Sequence, residues 1–117
     1  GQTLVLEAPL ANNINHQQSA FGGSLFSIAA LTGWGLIQLK LSELYIEANT
    51  VIAGGDVSYD LPVLSQLKCE CKLEENYTEF VNKLTKKGKA SLILKPTIVL
   101  DHANAMSFSG KFVVHQL

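Results

Sequence analysis

NHQQSAFGGS, residues 15–24, runs directly into the apolar segment LFSIAALTGWGLIQLKL, residues 25–41, and these two segments decide the fold. The first is a polar loop without a charged side chain that closes on two glycines. The second is apolar on nearly every side of a helix, which predicts a helix from about Gly23 to Leu44. Such a helix has to be buried, and in a small domain only a sheet that wraps around it provides enough cover.

The diglycine at the start of this helix indicates a site for an oxygen atom. The first N–H groups of a helix have no partner within the helix, and the helix dipole makes this end partly positive. Because Gly22 and Gly23 carry no side chain, a carbonyl or phosphate oxygen can reach those groups. The alternative is that the glycines only allow the helix to pack closely on the sheet.

Composition narrows the class of protein. A chain of 117 residues with 47% hydrophobic and 16% charged residues predicts one domain over residues 1–117 with a single core. A net charge of -1 argues against binding of nucleic acid. The uncharged stretch 20–39 is long enough to cross a membrane, but its glycines and polar residues predict no membrane span. The chain shows no secretory leader, and its cysteine use fits a reducing compartment, so we expect a cytoplasmic protein.

The remaining sequence predicts an antiparallel sheet, and hence an α+β domain. A kink or bulge is expected at Gly54-Gly55, an edge position or bulge at Pro96, and a hairpin turn over residues 101–104. Residues 74–87 are expected to form a short helix or a half-ordered loop. The five predicted strands cover residues 2–10, 50–61, 66–73, 89–100 and 105–114.

Two clusters of reactive or charged residues stand out. Cys69 and Cys71 would point to the same face of a strand, which disfavours a disulfide between them, and they are expected to be buried thiols. Further metal ligands at suitable spacing are not apparent, so no metal site is predicted. A lysine group forms either a solvated turn or an electrostatic contact for a phosphate-bearing carrier or an acidic protein; it comprises Lys83, Lys86, Lys87 and Lys89.

The order of a strand, a long apolar helix and further antiparallel strands resembles the hotdog fold, in which a curved antiparallel sheet wraps around one long central helix. Residues 8–10, 15–16, 20–24 and 31–34 closely resemble the YiiD C-terminal family of thioesterase-like proteins, and so does the end of the second strand at Tyr59 to Val63. Relatives in that family carry an N-terminal helix before the first strand, and this chain is expected to lack it.

The loop motif of the wider hotdog thioesterases is matched only in part. That motif has the form Asn-x-x-Gly-x-x-His-Gly-Gly; Asn15 and the two glycines match it, while Gln18 stands at the first glycine and Phe21 at the histidine. Many of these enzymes carry an acidic residue on the helix nine positions after the histidine, and here that residue is Ala30. A different group therefore has to activate water.

The resemblance implies hydrolysis of an acyl thioester of coenzyme A or acyl carrier protein. The backbone amides at Gly23 and Ser24 would polarise the carbonyl, and Asn15 would orient the substrate or water. His16 or Asp56, from either subunit, would handle the proton. The expected substrate contacts are Phe21, Gly22, Ser24 and Thr32. Thr32 and Ser24 could equally be hydrogen-bonded core residues, and Asp56 a charge at a turn or an edge.

The resemblance also implies a homodimer through edge-to-edge sheet pairing, or a dimer of such dimers. No cofactor is expected, because the chain lacks a phosphate-binding loop and a dinucleotide fingerprint. Two other classes stay open: a non-catalytic module that binds an acyl group or its carrier in fatty-acid metabolism, and a purely structural dimerisation domain.

Overall fold

Six strands and two helices make up the part of the chain that the computed structural model describes, which comprises residues 3–8, 22–60, 67–74, 76–100 and 103–117. The long helix α1 begins and ends within one residue of the predicted bounds. The elements in chain order are β1 (Thr3–Ala8), α1 (Gly22–Glu43), β2 (Ala48–Tyr59), β3 (Leu67–Lys72), α2 (Tyr77–Lys87), β4 (Lys89–Leu94), β5 (Thr97–Leu100) and β6 (Ala103–Gln116).

All six strands belong to one antiparallel sheet with the order β1-β3-β5-β6-β2. The long strand β6 holds this sheet together because it pairs with β2 along one side and with β5 and then β4 along the other. Among the described strands, β2 pairs only with β6 and therefore forms an edge of the sheet.

The single strand predicted over residues 89–100 is wrong, because Lys95 and Pro96 divide it into β4 and β5. Proline has no N–H group to donate to a sheet, which ends the pairing of β4. The Pro96 carbonyl still accepts a hydrogen bond, of 3.1 Å, from the Phe108 amide on β6. The predicted turn over residues 101–104 is also too long, because Ala103 and Asn104 already belong to β6.

Residues 74–87 were expected to form a short helix or a half-ordered loop, and the structure shows a helix, α2, over Tyr77–Lys87. Helix α2 buries Phe80 and Leu84, which lie one turn apart on the same face. It ends at Gly88, whose left-handed conformation (φ 75°) lets its amide donate a 2.8 Å hydrogen bond to the Leu84 carbonyl.

Helix α1 buries one side against the sheet and leaves the other side open in the single chain. Its inner side contributes Leu36, Ile37 and Leu41 to the core, whereas Leu31 is 54% and Trp34 42% exposed. The prediction of burial on all sides is therefore not met within one chain, because a single sheet covers only one side of the helix.

By length and composition α1 could also cross a membrane, over Leu25–Glu43. In this structure the helix packs against β1, β2, β3 and β6, and 44% of the apolar window is buried. Its apolar character is accounted for by this role as the core helix of an α+β domain.

Candidate active site at the start of α1

Residues Gly22 to Ser24, where the sequence predicts a site for an oxygen atom, form the first turn of α1. The amides of this turn have no acceptor four residues earlier within the helix. The first turn contains no acidic side chain that would compete for that position. Asn15, His16 and Phe21 lie outside the described residues, so their assigned roles stay predictions.

An aromatic contact fixes the position of this end of α1. The ring of Phe26, in the next turn, meets the ring of Phe108 on β6 edge to face, with centroids 5.3 Å apart and planes at 71°. Phe108 in turn covers Gly55 of β2, where an added β-carbon would lie 2.7 Å from its Cε1 atom. The start of α1 therefore lies over β6 and beside the edge strand β2.

A β-bulge in β2 determines where Asp56 points. The pairing of β2 with β6 shifts between Ile52 and Gly54, so that Ala53 is an extra residue on β2. Thr50, before the bulge, and Val57, after it, both face α1, whereas Asp56 lies opposite Ser109 on the outer face of the sheet. Its side chain lines an outer cavity of about 450 Å³ together with Ser109.

Asp56 is thus separated from the first turn of α1 by the thickness of the sheet. The structure does not bring these two predicted parts of the site together within one chain. An edge charge, which the sequence left open as the alternative for Asp56, fits this position.

Thr32 is fully buried. Its hydroxyl donates a 2.5 Å hydrogen bond to the Ile28 carbonyl one turn earlier and also lies beside the Cys69 thiol. A side chain with no accessible surface cannot touch a substrate unless the core opens. Of its two predicted roles, the hydrogen-bonded core residue is the one that this geometry favours.

Cys69 and Cys71 are free, buried thiols on β3, as predicted from the alternation of that strand. Burial raises the pKa of Cys69 to about 11, an effect that the Thr32 hydroxyl partly offsets, and raises the pKa of Cys71 to about 12. Both thiols therefore stay protonated near neutral pH, and neither can serve as a nucleophile. Within the described ranges, no three His, Cys, Asp or Glu side chains group as metal ligands would.

Comparison with known proteins shows which family the chain belongs to. The model of the YiiD_C family, whose description is "Putative thioesterase (yiiD_Cterm)", matches residues 1–116. The chain belongs to the YiiD_C family. Membership confirms the resemblance carried by the diglycine loop and supports a thioesterase-like role.

Solved structures confirm the hotdog fold. A protein of unknown function from Chlorobaculum tepidum is 34% identical with a TM-score of 0.94, over 100% of this chain and 78% of that one. A protein from Shewanella oneidensis described as a "putative thioesterase" is 30% identical with a TM-score of 0.86, over 96% of this chain and 76% of that one. A Pseudomonas aeruginosa protein described as a "Probable Thioesterase" shares the fold at 19% identity, with a TM-score of 0.84 over 99% of this chain and 78% of that one.

Sequence reasoning missed the part played by Phe26 and Phe108. Phe108 alternates with Ser107 and Ser109, which indicates a buried position on its strand, whereas Phe26 is 39% exposed on α1. Only the fold shows that the two rings join the start of α1 to the edge strand. The two rings form a wall of apolar surface close to the first turn of α1. A thioester needs such a wall, because its acyl chain has to leave water while its carbonyl meets the donors.

Proposed function

We propose that this protein is an acyl thioesterase that hydrolyses thioesters of coenzyme A or acyl carrier protein. The observation that carries the proposal is the placement of the first turn of α1, whose amides have no acceptor within the helix, beside the Phe26–Phe108 pair. Family membership supports the reaction class. The whole chain, residues 1–117, serves as one domain in this proposal, and we place it in the cytoplasm.

In the proposed reaction the thioester carbonyl oxygen accepts hydrogen bonds from the amides of Gly23 and Ser24. Attack of water turns this oxygen into an oxyanion, which the two donors and the helix dipole stabilise. Water adds to the carbonyl carbon, the C–S bond then breaks, and the thiol leaves with a proton. Phe21 and the Gly22 backbone line the acyl channel, and Asn15 orients the attacking water.

We assign the proton transfer to His16. An imidazole has a pKa near 6.5 when unperturbed, so it can accept a proton from water at neutral pH. Asp56 is less suited because it lies on the outer face of the sheet. Thr32 has no substrate contact in this proposal, since its hydroxyl is already bound to the Ile28 carbonyl.

We further propose that two copies pair antiparallel along β2. This strand is twelve residues long, and its second edge faces no described strand. An unpaired edge of that length invites another strand. Val51, which is 54% exposed on β2, and the open side of α1 would gain cover in such a dimer.

Pairing of two copies along β2 does not bring Asp56 of either copy to the start of α1, so Asp56 remains unsuited as the base. Antiparallel pairing of two edges continues one sheet and keeps both outer faces on the same side. Asp56 of either copy then stays on the side away from both α1 helices. The start of each α1, in contrast, lies close to the shared edge through Phe108 and Gly55.

A panel of purified acyl thioesters of coenzyme A and acyl carrier protein tests the proposal. Thiol release is measured with a chromogenic disulfide, and the protein's dimeric state is checked in the same samples. We expect hydrolysis of at least one class well above the rate in buffer. Tight binding of the acyl thioesters without thiol release would instead identify a non-catalytic binding module, which Ala30 in place of an acidic residue favours.

A further inference from the structure

Four lysines surround one surface cavity where α2, β4 and β6 meet. Lys83 and Lys87 lie on successive turns of α2, Lys89 begins β4, and Lys111 belongs to β6. The cavity has a volume of about 460 Å³. We call it the lysine cavity; the rest of its described lining is Ala90, Ser91 and Val113.

Regular structure fixes the backbone positions of these four lysines. Lys89 and Lys111 belong to paired strands, with Ser91 opposite Val113 between them. Lys83 and Lys87 are spaced one helical turn apart, on a helix whose Phe80 and Leu84 anchor it in the core. The group differs from the one that the sequence suggested, because Lys111 joins it and Lys86 does not line the cavity.

The lysine cavity is a local concentration of positive charge in a chain with a net charge of -1. It gathers four of the nine basic residues, and no carboxylate is among its described lining. None of the four lysines forms an ion pair with any residue that the structure describes. Like charges at positions i and i+4 of a helix repel each other, and an anion between Lys83 and Lys87 would relieve that repulsion.

We propose that the lysine cavity binds the clustered phosphate groups of a nucleotide. Its volume lies in the range of small-molecule sites, which is about 300–1,000 Å³. Ammonium groups bind phosphate oxygens as point charges, and the Ser91 hydroxyl can donate a further hydrogen bond from the floor. The carboxylates of an acidic protein project from a convex surface and would meet only the rim of such a cavity.

Two kinds of molecule could supply the clustered phosphate groups. One is a free nucleotide, in which case the cavity is independent of the proposed reaction. The other is the nucleotide end of a coenzyme A thioester, and this assignment rests on the proposed function. Binding measurements separate the phosphate site itself from hydrolysis, so failure of the thioesterase assay leaves the test of the cavity intact.

Isothermal titration of the full chain with pyrophosphate, adenosine 3′,5′-bisphosphate, coenzyme A and dephospho-coenzyme A tests the site. The double variant Lys83→Gln/Lys87→Gln removes two of the four charges. Lys68→Gln/Lys72→Gln on β3 removes the same charge from two exposed residues outside the cavity. We expect the first double variant to weaken bisphosphate and pyrophosphate binding about tenfold or more, and the second to change it less than about twofold.

The two sources give different patterns. Parallel loss of bisphosphate and coenzyme A binding, with a raised KM for coenzyme A thioesters, assigns the cavity to coenzyme A. Loss of bisphosphate binding with an unchanged KM assigns it to a free nucleotide. The proposal is overturned if the unaltered protein binds none of the four compounds, or if both double variants bind them equally. It is also overturned if acyl carrier protein binds through these lysines while the phosphate compounds do not.

Discussion

Gly33 of α1 lies directly against Phe112 of β6: a β-carbon added to Gly33 would be 2.6 Å from the Cζ atom of that ring. Phe112 is fully buried, so its ring has no free space into which it could move. The missing side chain at Gly33 therefore sets the distance between the helix and the middle of the sheet. That distance in turn sets the height of the first turn of α1 above β2.

Replacing Gly33 by alanine should destabilise the protein despite the better helix propensity of alanine. Overpacking of a core costs about 1–3 kcal/mol, whereas alanine gains about 1 kcal/mol over glycine in a helix. We expect a net loss of up to about 2 kcal/mol in the free energy of unfolding, measured by urea denaturation. Gly54→Ala is the matched control, since an added β-carbon there meets nothing within 4 Å.

A second substitution, at Phe112, tests whether the loss of stability in Gly33→Ala comes from contact with the Phe112 ring. In a Phe112→Leu background the smaller side chain leaves room, so Gly33→Ala should cost less than in the unaltered protein. The coupling free energy from this double-mutant cycle is expected in the range of about 0.5–3 kcal/mol. Additive effects of the two substitutions would contradict the packing argument.

Pairing of two copies along β2 predicts sensitivity to charge at this edge. Val51→Lys places a charge on an exposed residue of β2, the strand that the proposed dimer pairs, and a charge at an edge strand opposes pairing with another strand. We expect the mass in solution, measured by light scattering, to fall from dimer to monomer. Ile93→Lys makes the same kind of change, from an aliphatic side chain to lysine, at a 47% exposed residue of β4, and this variant should remain dimeric. A monomeric unaltered protein would contradict the proposed pairing.

The buried thiols predict a loss of stability at high pH. Their pKa values of about 11 and 12 in the folded state exceed the ordinary value of 9.0. The unfolded chain therefore releases these protons first as pH rises, which favours unfolding from about pH 9 upward. Urea denaturation at several pH values should show this decline in the unaltered protein, and a weaker decline in Cys69→Ala/Cys71→Ala. Equal pH dependence of the two proteins would contradict the assignment.

Local patterns predicted much of the fold from the sequence. The apolar run predicted α1 to within one residue at either end, because length and composition specify a core helix directly. Strict alternation predicted which faces of β3 and β6 are buried, including Cys69 and Phe108. The division at Pro96 was missed, since a bulge and a break both follow from the missing N–H of proline.

The site was harder to predict, because a single extra residue in a strand moves every later side chain to the opposite face of the sheet. Counting outward from Thr50 and Ile52 in steps of two places Asp56 on the side of α1. Ala53 breaks that count at the bulge and turns Asp56 outward. The glycines at 54 and 55 indicate a bulge in the sequence, but they do not specify its position to one residue. Lys111 likewise joins the lysine cavity only through the pairing of β4 with β6.

The outward position of Asp56 predicts that its carboxylate is dispensable for hydrolysis. Asp56→Asn should keep kcat within about threefold, while His16→Gln should lower it by about 10²–10⁴, the usual contribution of a general base. An Asp56→Asn variant as impaired as His16→Gln would exclude this assignment.

The amide of Gly23 can be removed without removing the helix. Proline lacks an N–H group and is tolerated in the first turn of a helix, where that group has no partner within the helix. Gly23→Pro should therefore lower kcat by about 10²–10³, as loss of one oxyanion donor does elsewhere, with KM changed far less. Gly23→Ala adds a side chain but keeps the amide, so its loss of activity measures crowding alone, and the proline variant should be slower still. Circular dichroism of both variants verifies that α1 is intact. If the proline variant hydrolyses thioesters as fast as the alanine variant, the carbonyl oxygen does not bind to the Gly23 amide, and the stabilising donors have to lie elsewhere.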